Sequence, residues 1–277
     1  MHVWFELTHL VGIRVTGPDA VAFCQAQLTA DFRDLDPGQW QFCAWCDNKG
    51  RCLATILACI DENAVELVLP RSQIDLIARL GLYTLGRKVT LSSPLAVAGT
   101  FTPENGSKRM RQDPERALCL DSAAVDPARQ SQWQAADFCH AIAWLSPTTS
   151  ARFLPQFLGL EDNQGVSFAK GCYPGQEVIA RVHFLGAVKH QLLGLIIDNS
   201  DNRQITLPAQ LATDSLDSAG DIIDILNVGD QSIGLAVCPI ELQPDSEVYL
   251  KLPAIQVSGR VTLVNSLCYY RDKIAGK

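Results

Sequence analysis

The run Lys170-Gly171-Cys172-Tyr173-Pro174-Gly175-Gln176-Glu177 places one thiol between a lysine, two glycines and a carboxylate. Such a grouping suits nucleophilic or metal-binding sulfur chemistry. Glycine on either side opens backbone conformations closed to other residues, and Pro174 presets part of the turn, so the Cys172 thiol can be held at a fixed point on an exposed loop. A cation beside a thiol favours the thiolate, the form that attacks and binds metals, which pairs Lys170 with Cys172 as the candidate catalytic residues. A helix starting near Gly175 acts in the same direction through the partial positive charge at its N-terminus. The plainer reading is a glycine-rich turn that contains a cysteine.

The chain has ten cysteines, too irregularly spaced for a small disulfide scaffold. Cys43, Cys59, Cys139, Cys238 and Cys268 stand in apolar runs and read as packed thiols. Cys43-x-x-Cys46, followed by Cys52 and Cys59, has a metal-like spacing. Residues three apart in a strand point to opposite faces, however, and Gln41 to Asp47 reads as a strand, so no metal site is assigned. A net charge of −7 argues against a broad grip on nucleic acid. Within that acidic background, Lys170, Arg181, His183, Lys189 and His190 cluster in sequence and could receive an anionic ligand tail. No apolar run reaches bilayer length and the first twenty residues lack the pattern of a secretory signal, which together point to the cytoplasm.

The elements that must position the thiol are mixed. Val11 to Thr16 alternates as a strand, and Gly17-Pro18-Asp19 opens a helix through Leu28. Leu53 to Ile60 and Ala64 to Leu69 form a hairpin around Asp61-Glu62-Asn63, followed by a helix from Ser72 to Leu80. Val89 to Leu91 and Ala96 to Thr100 are further strands. Pro103 to Arg116 is polar and reads as a surface loop whose Lys108, Arg109, Arg111 and Arg116 are solvated. Beyond Gly186 come short β runs at Leu192 to Ile197, Ile222 to Leu226, Ser232 to Val237, Val248 to Leu250 and Arg260 to Val264, the pattern of a small barrel or sandwich. The 277-residue chain, 47% hydrophobic and 19% charged, therefore divides near residues 187–191.

Leu154-Pro155-Gln156, Gly165-Val166-Ser167-Phe168-Ala169, the octapeptide and Val178-Ile179-Ala180-Arg181 together resemble the YgfZ family of folate-binding proteins, relatives of the glycine-cleavage aminomethyltransferase. Val15 to Ala20, Gln27-Leu28-Thr29-Ala30-Asp31 and Asp47-Asn48-Lys49-Gly50-Arg51 are similar to that family's first segments, in its order. The resemblance implies an α+β, aminomethyltransferase-like fold: residues 1–190 as two interleaved folate-binding subdomains and 191–277 as an antiparallel β-barrel around a central opening. It implies tetrahydrofolate or a derivative as cofactor, iron–sulfur enzymes or their assembly proteins as partners, and an effect on tRNA modification; the net charge and the absence of a bilayer-length run set the expectation of no direct nucleic-acid contact and no membrane attachment. Cofactor contacts then fall to Trp133 as a stacking platform and to Tyr173, Gln176, Glu177 and Arg181. Leu10 stands where family members offer a second aromatic. The related transferases use a carboxylate just after the hairpin equivalent to Lys49-Gly50, where this chain has Cys52 to Ile56 with Thr55, so that proton chemistry is missing. Cys172 is left with a one-carbon relay, a transient iron ligand or a mixed disulfide as roles. A true folate-dependent one-carbon transferase or demethylase is the alternative function, and a thiol redox enzyme without folate a third.

Overall fold

The computed structural model describes residues 3–62, 64–121, 129–199, 204–214, 218–244, 246–252 and 255–265. Cys268 and the turn residue Asn63 lie outside them. The first part is built on β1 (Phe5–Glu6), β2 (Leu10–Thr16), β3 (Gln39–Cys46), β4 (Cys52–Asp61), β5 (Ala64–Pro70), β6 (Thr90–Leu91), β7 (Val97–Thr100), β8 (Arg109–Met110) and β9 (Ala117–Leu120). These hydrogen-bond into one nine-stranded sheet in the order β1-β7-β9-β8-β3-β4-β5-β2-β6. The helices α1 (Ala20–Gln27), α2 (Asp75–Gly81), α3 (Gln130–Cys139) and α4 (Gln176–Leu185) pack around it. The remaining strands, β10 (His190–Asp198), β11 (Gln210–Ala212), β12 (Gly220–Val228), β13 (Gln231–Pro239), β14 (Val248–Leu252) and β15 (Ile255–Val264), close a barrel in the order β10-β13-β12-β11-β14-β15. The β-rich tail is thus a barrel, not a sandwich.

β3 shows why both faces of the central sheet are buried. Phe42, Ala44 and Cys46 enter one core, and Cys43 and Trp45 enter the other, beneath α1. This is the two-residue alternation of a strand, and it separates the Cys43 and Cys46 thiols. Burial pushes the Cys43 thiol up to about 12. The first core also takes Ile223, Ile233, Leu235 and Val237 from the barrel, so apolar packing joins the two parts, while the barrel holds a separate core of its own.

Two sequence expectations are corrected. The helix placed at Ser72 to Leu80 opens as a tighter 3-10 turn, Arg71–Gln73, and becomes regular only at Asp75; there the Gln73 amide is drawn inward to donate to the Leu53 carbonyl at 3.1 Å. The polar stretch Pro103 to Arg116 is more than a solvated loop. It contributes β8, parallel to β3 through Trp40 and Met110, and it buries Arg116 completely. Arg116 Nε donates to Asp113 at 2.7 Å, and one terminal nitrogen donates to Asp137 at 2.7 Å and to the Trp133 carbonyl at 3.2 Å. Burial opposes the Asp113 charge, but His140 and Arg116 together hold the carboxyl down at about 2. Lys108 likewise pairs with Asp61 and with buried Glu66. Lys108 and Arg116 are thus charge-paired within the fold, while Arg109 and Arg111 donate to neutral carbonyl and amide oxygens, which composition alone does not reveal.

Candidate functional site

Segments more than a hundred residues apart meet behind Cys172. Asp47 to Arg51 joins β3 to β4, and its Gly50 touches Gly175 backbone to backbone: a side chain on Gly175, at φ +78°, would come within 2.4 Å of the Asp47 carbonyl and the Gly50 Cα. Only glycine satisfies that approach. The Thr29 hydroxyl donates to the Gly165 carbonyl at 2.7 Å and accepts from the Ala44 N–H at 2.9 Å, while the Ser167 N–H donates to the Thr29 carbonyl at 2.9 Å. The Lys170 ammonium donates to the Leu28 carbonyl at 2.7 Å and the Ala30 carbonyl at 2.6 Å. The three glycine- and threonine-bearing stretches singled out in the sequence therefore interlock as one structural unit.

Lys170 stands differently from the expectation. Its side chain points inward and is only 6% exposed; burial pulls its pKa down to about 8, against the opposing pull of Cys43 and Asp31. The ammonium is committed to two carbonyls rather than to the Cys172 sulfur, so it fixes the loop from below. Cys172 itself is exposed. Tyr173 is buried in the same core as Cys46 and Cys52, whose sulfurs are 3.9 Å apart, and burial raises its hydroxyl pKa. Gln176 opens α4 and returns its amide to the Lys170 carbonyl at 3.3 Å. Glu177 and Arg181 are exposed on the same helix.

The basic residues from Lys170 to His190 do not form one surface. His183 pairs with Glu161 and stacks on Phe168 at 4.0 Å, and His190 leans on Phe157 at 4.9 Å. Trp133 is corrected more sharply. It is fully buried in α3, with the Arg116 guanidinium over its ring at 4.5 Å and Phe5 and Phe101 against it, which leaves no open face for a heterocycle to stack on. Thr55, in the stretch where the family resemblance sets the expectation of an acid, is also buried; its hydroxyl donates to the Ala143 carbonyl at 2.8 Å and accepts from the Leu145 N–H at 3.1 Å.

The open platform lies elsewhere. A cavity of about 410 Å³ is walled by the segment before β2, the start of the turn after β5, α3 with residues 144–146, and barrel strand β12. Its polar lining includes Thr8, His9, Arg71, Gln134, Trp144 and Asp224. None of the seven site residues expected from the sequence lines it. Both His9 ring nitrogens are buried without a well-aligned hydrogen bond, with the Gln130 side chain beside the ring. Burial lowers the His9 pKa, although the Asp137 charge and the hydrogen-bonding side chain of Gln130 act in the other direction. Asp224 sits at a bulge in β12, where Gln134 at 2.9 Å and its neighbour Ile225 at 2.8 Å both donate to Oδ1 and none of these bonds reaches Oδ2. Burial pushes its carboxyl up to about 7, with Asp137 adding to the rise. Trp144 is held by its indole N–H, which donates to Asp137 at 2.9 Å, so the Arg116 network sets the cavity wall. One sequence signal for this site existed: Asp224 is the lone carboxylate in the apolar run Ile222 to Leu226. His9, Gln134 and Trp144 gave none.

A nine-stranded sheet, a six-stranded closed barrel and a cavity between them define an aminomethyltransferase-like fold. The aminomethyltransferase T of the glycine cleavage system from Bartonella henselae superposes with a TM-score of 0.67 at 16% identity, over 96% of this chain and 85% of that one. In sequence, the chain is similar to the tRNA-modifying protein YgfZ of Yersinia enterocolitica, 28% identical over 222 residues that cover 66% of this chain and 67% of that protein. The YgfZ proteins of Edwardsiella ictaluri and Serratia proteamaculans match at the same identity, with the same shares of each chain. No family model matches the chain. These relatives bear out the resemblance read from the interlocking motifs. Among the described residues, no helix is long and apolar enough to cross a membrane.

Proposed function

We propose that the protein binds a reduced folate in the central cavity and, through Cys172, supports iron–sulfur enzymes that modify tRNA. The observation that carries the folate half is the polar wall of the 410 Å³ cavity. Two buried imidazole nitrogens without a well-aligned bond and a carboxylate whose two bonds converge on one oxygen meet apolar surface from Leu10, Leu145 and Ile223. A pterin is a flat heterocycle edged with amide and amine groups, and it needs this combination of apolar face and polar edge. The volume falls in the ~300–1,000 Å³ range of small-molecule pockets. Asp224, with a carboxyl near 7, is available as acceptor or donor around neutrality, and His9 can bond in either tautomer. Trp144 offers the aromatic wall assigned to Trp133 in the sequence. Bound tetrahydrofolate would supply a one-carbon unit or reducing equivalents.

Cys172 does not line this cavity. Its exposed position on a backbone-locked loop suits reaction with a partner protein, as an iron ligand or in a mixed disulfide, better than a relay to the folate. A folate-dependent aminomethyl transfer is disfavoured by Thr55, whose hydroxyl is wired to backbone where that chemistry needs a carboxylate. The test is a titration of purified protein with tetrahydrofolate, read by tryptophan fluorescence. We expect a saturable change that disappears in Trp144→Phe and an affinity weakened about tenfold or more in Asp224→Asn. Absence of saturable binding overturns the folate reading. Cys172→Ser should bind folate like the parent while losing support of tRNA methylthiolation in cells; full support by the serine variant removes the thiol from the function.

A further inference from the structure

A second cavity, of about 240 Å³, opens between the segment Arg152 to Phe157 and barrel strands β10, β12 and β13. Its walls are Arg152, Phe153, Phe157, His190, Asp221 and Val237, with others. The segment carrying three of these is pinned to β4: the Cys52 N–H donates to the Phe153 carbonyl at 2.8 Å and the Ala151 N–H to the Cys52 carbonyl at 2.8 Å. Arg152 lies over the Phe153 ring at 5.3 Å, with one terminal nitrogen 2.8 Å from Asp221 Oδ1. Gln210 donates to that same oxygen at 2.9 Å, and neither bond occupies Oδ2. His190 packs against Phe157, and its Nδ1 is buried without a partner. This arrangement is an aromatic-walled pocket with a cation, an anion and an orphaned nitrogen at its rim.

We propose that this cavity binds a free α-amino acid with an apolar side chain. Arg152 and Asp221 compensate each other, so a ligand of net charge would leave one charge unbalanced, whereas a zwitterion brings a matched pair. The guanidinium has five N–H donors and uses one on Asp221, leaving its fork for the ligand's carboxylate. Asp221 Oδ2 takes the ammonium, His190 Nδ1 satisfies one further hydrogen bond, and Phe153, Phe157 and Val237 receive the side chain. The cavity is smaller than the ~300–1,000 Å³ of drug-sized pockets, which limits the ligand to a small metabolite.

Calorimetric titration with L-leucine and with L-phenylalanine tests the assignment, with 4-methylpentanoate and isoamylamine as half-ligands. We expect saturable binding of at least one amino acid with Kd of about 1 mM or tighter, weakened about tenfold or more in Arg152→Met and in Asp221→Asn, and no binding of either half-ligand. No saturable amino-acid binding, wild-type affinity in both variants, or 4-methylpentanoate binding as tightly as L-leucine overturns it. A measurement on the unmodified chain needs no folded variant: the His190 imidazole resonances shift on addition of L-leucine, and resonances left unmoved by both amino acids overturn the proposal. Both variants lie outside the central cavity, so tetrahydrofolate binding is expected to be the same in them as in the parent.

Discussion

The central cavity and the Cys172 loop handle polar groups in opposite ways. Around the cavity, both His9 nitrogens are buried without a well-aligned bond and the bonds to Asp224 converge on one oxygen, while burial keeps its carboxyl near 7. Behind the loop, the groups that tie Cys172 in place are paired: Thr29 bonds four ways, Lys170 donates twice, and Gln176 closes the turn. A wall with unpaired groups has capacity for a ligand that pairs them. A loop with paired groups has no such capacity and instead holds one exposed atom in place. On the proposed function, binding and reactivity are separate tasks in this fold.

The separation is most severely tested at Arg116. Removing its charge leaves Asp137 buried without its cation and Asp113 with His140 alone, so Arg116→Met should cost about 3–5 kcal/mol in a urea titration. Because Asp137 holds Trp144, tetrahydrofolate binding should fall in the same variant under conditions where it stays folded, while Cys172 alkylation proceeds at the parental rate. A matching loss of alkylation would show that the two regions are one. The converse change is Gly175→Ala, which places a methyl group against Asp47 and Gly50. It should cost about 2 kcal/mol or more and alter the alkylation rate with folate affinity unchanged, whereas Gly171→Ala, with open space at that position, should stay within about 0.5 kcal/mol.

Asp224 offers a finer distinction through pH. Its folded carboxyl is raised from the ordinary range to about 7, so it contributes stability that is fully present below about pH 4 and is lost as pH rises through 7. Asp224→Asn should match the parent near pH 4 and melt higher at pH 8, by about 2–4 °C for each kcal/mol recovered. Equal melting at both values would mean that the cavity wall is already well solvated. The smallest effect belongs to Cys172→Ser, expected within about 0.5 kcal/mol of the parent because the thiol is exposed.

How far the sequence discloses these regions follows from how each is built. Gly175, Gly50 and Thr29 are legible because glycine at a backbone contact and a threonine tying three segments tolerate few substitutes, so they stand in recognisable strings. The alternation in β3 is legible for the same local reason. The cavity is not, because its wall is assembled from single residues spread from His9 to Asp224, brought together only by the docking of the barrel on the sheet. Trp133 between glutamines and Trp144 in an apolar run give the opposite of the observed order; the choice between core and cavity rests on which of them Arg116 covers. Lys170 misleads because adjacency in sequence to Cys172 says nothing of where a long side chain ends.

The bonds from Lys170 to Leu28 and Ala30 span 142 and 140 residues. During synthesis those two carbonyls emerge long before their lysine exists. At about 5–20 residues per second, roughly 7–28 s separate the two ends on the ribosome. If the sheet and α1 begin to assemble during synthesis, they do so with this seam open and its carbonyls hydrated, and the thiol loop is fastened after them. A chain stalled before residue 170 would carry most of the sheet and no lock.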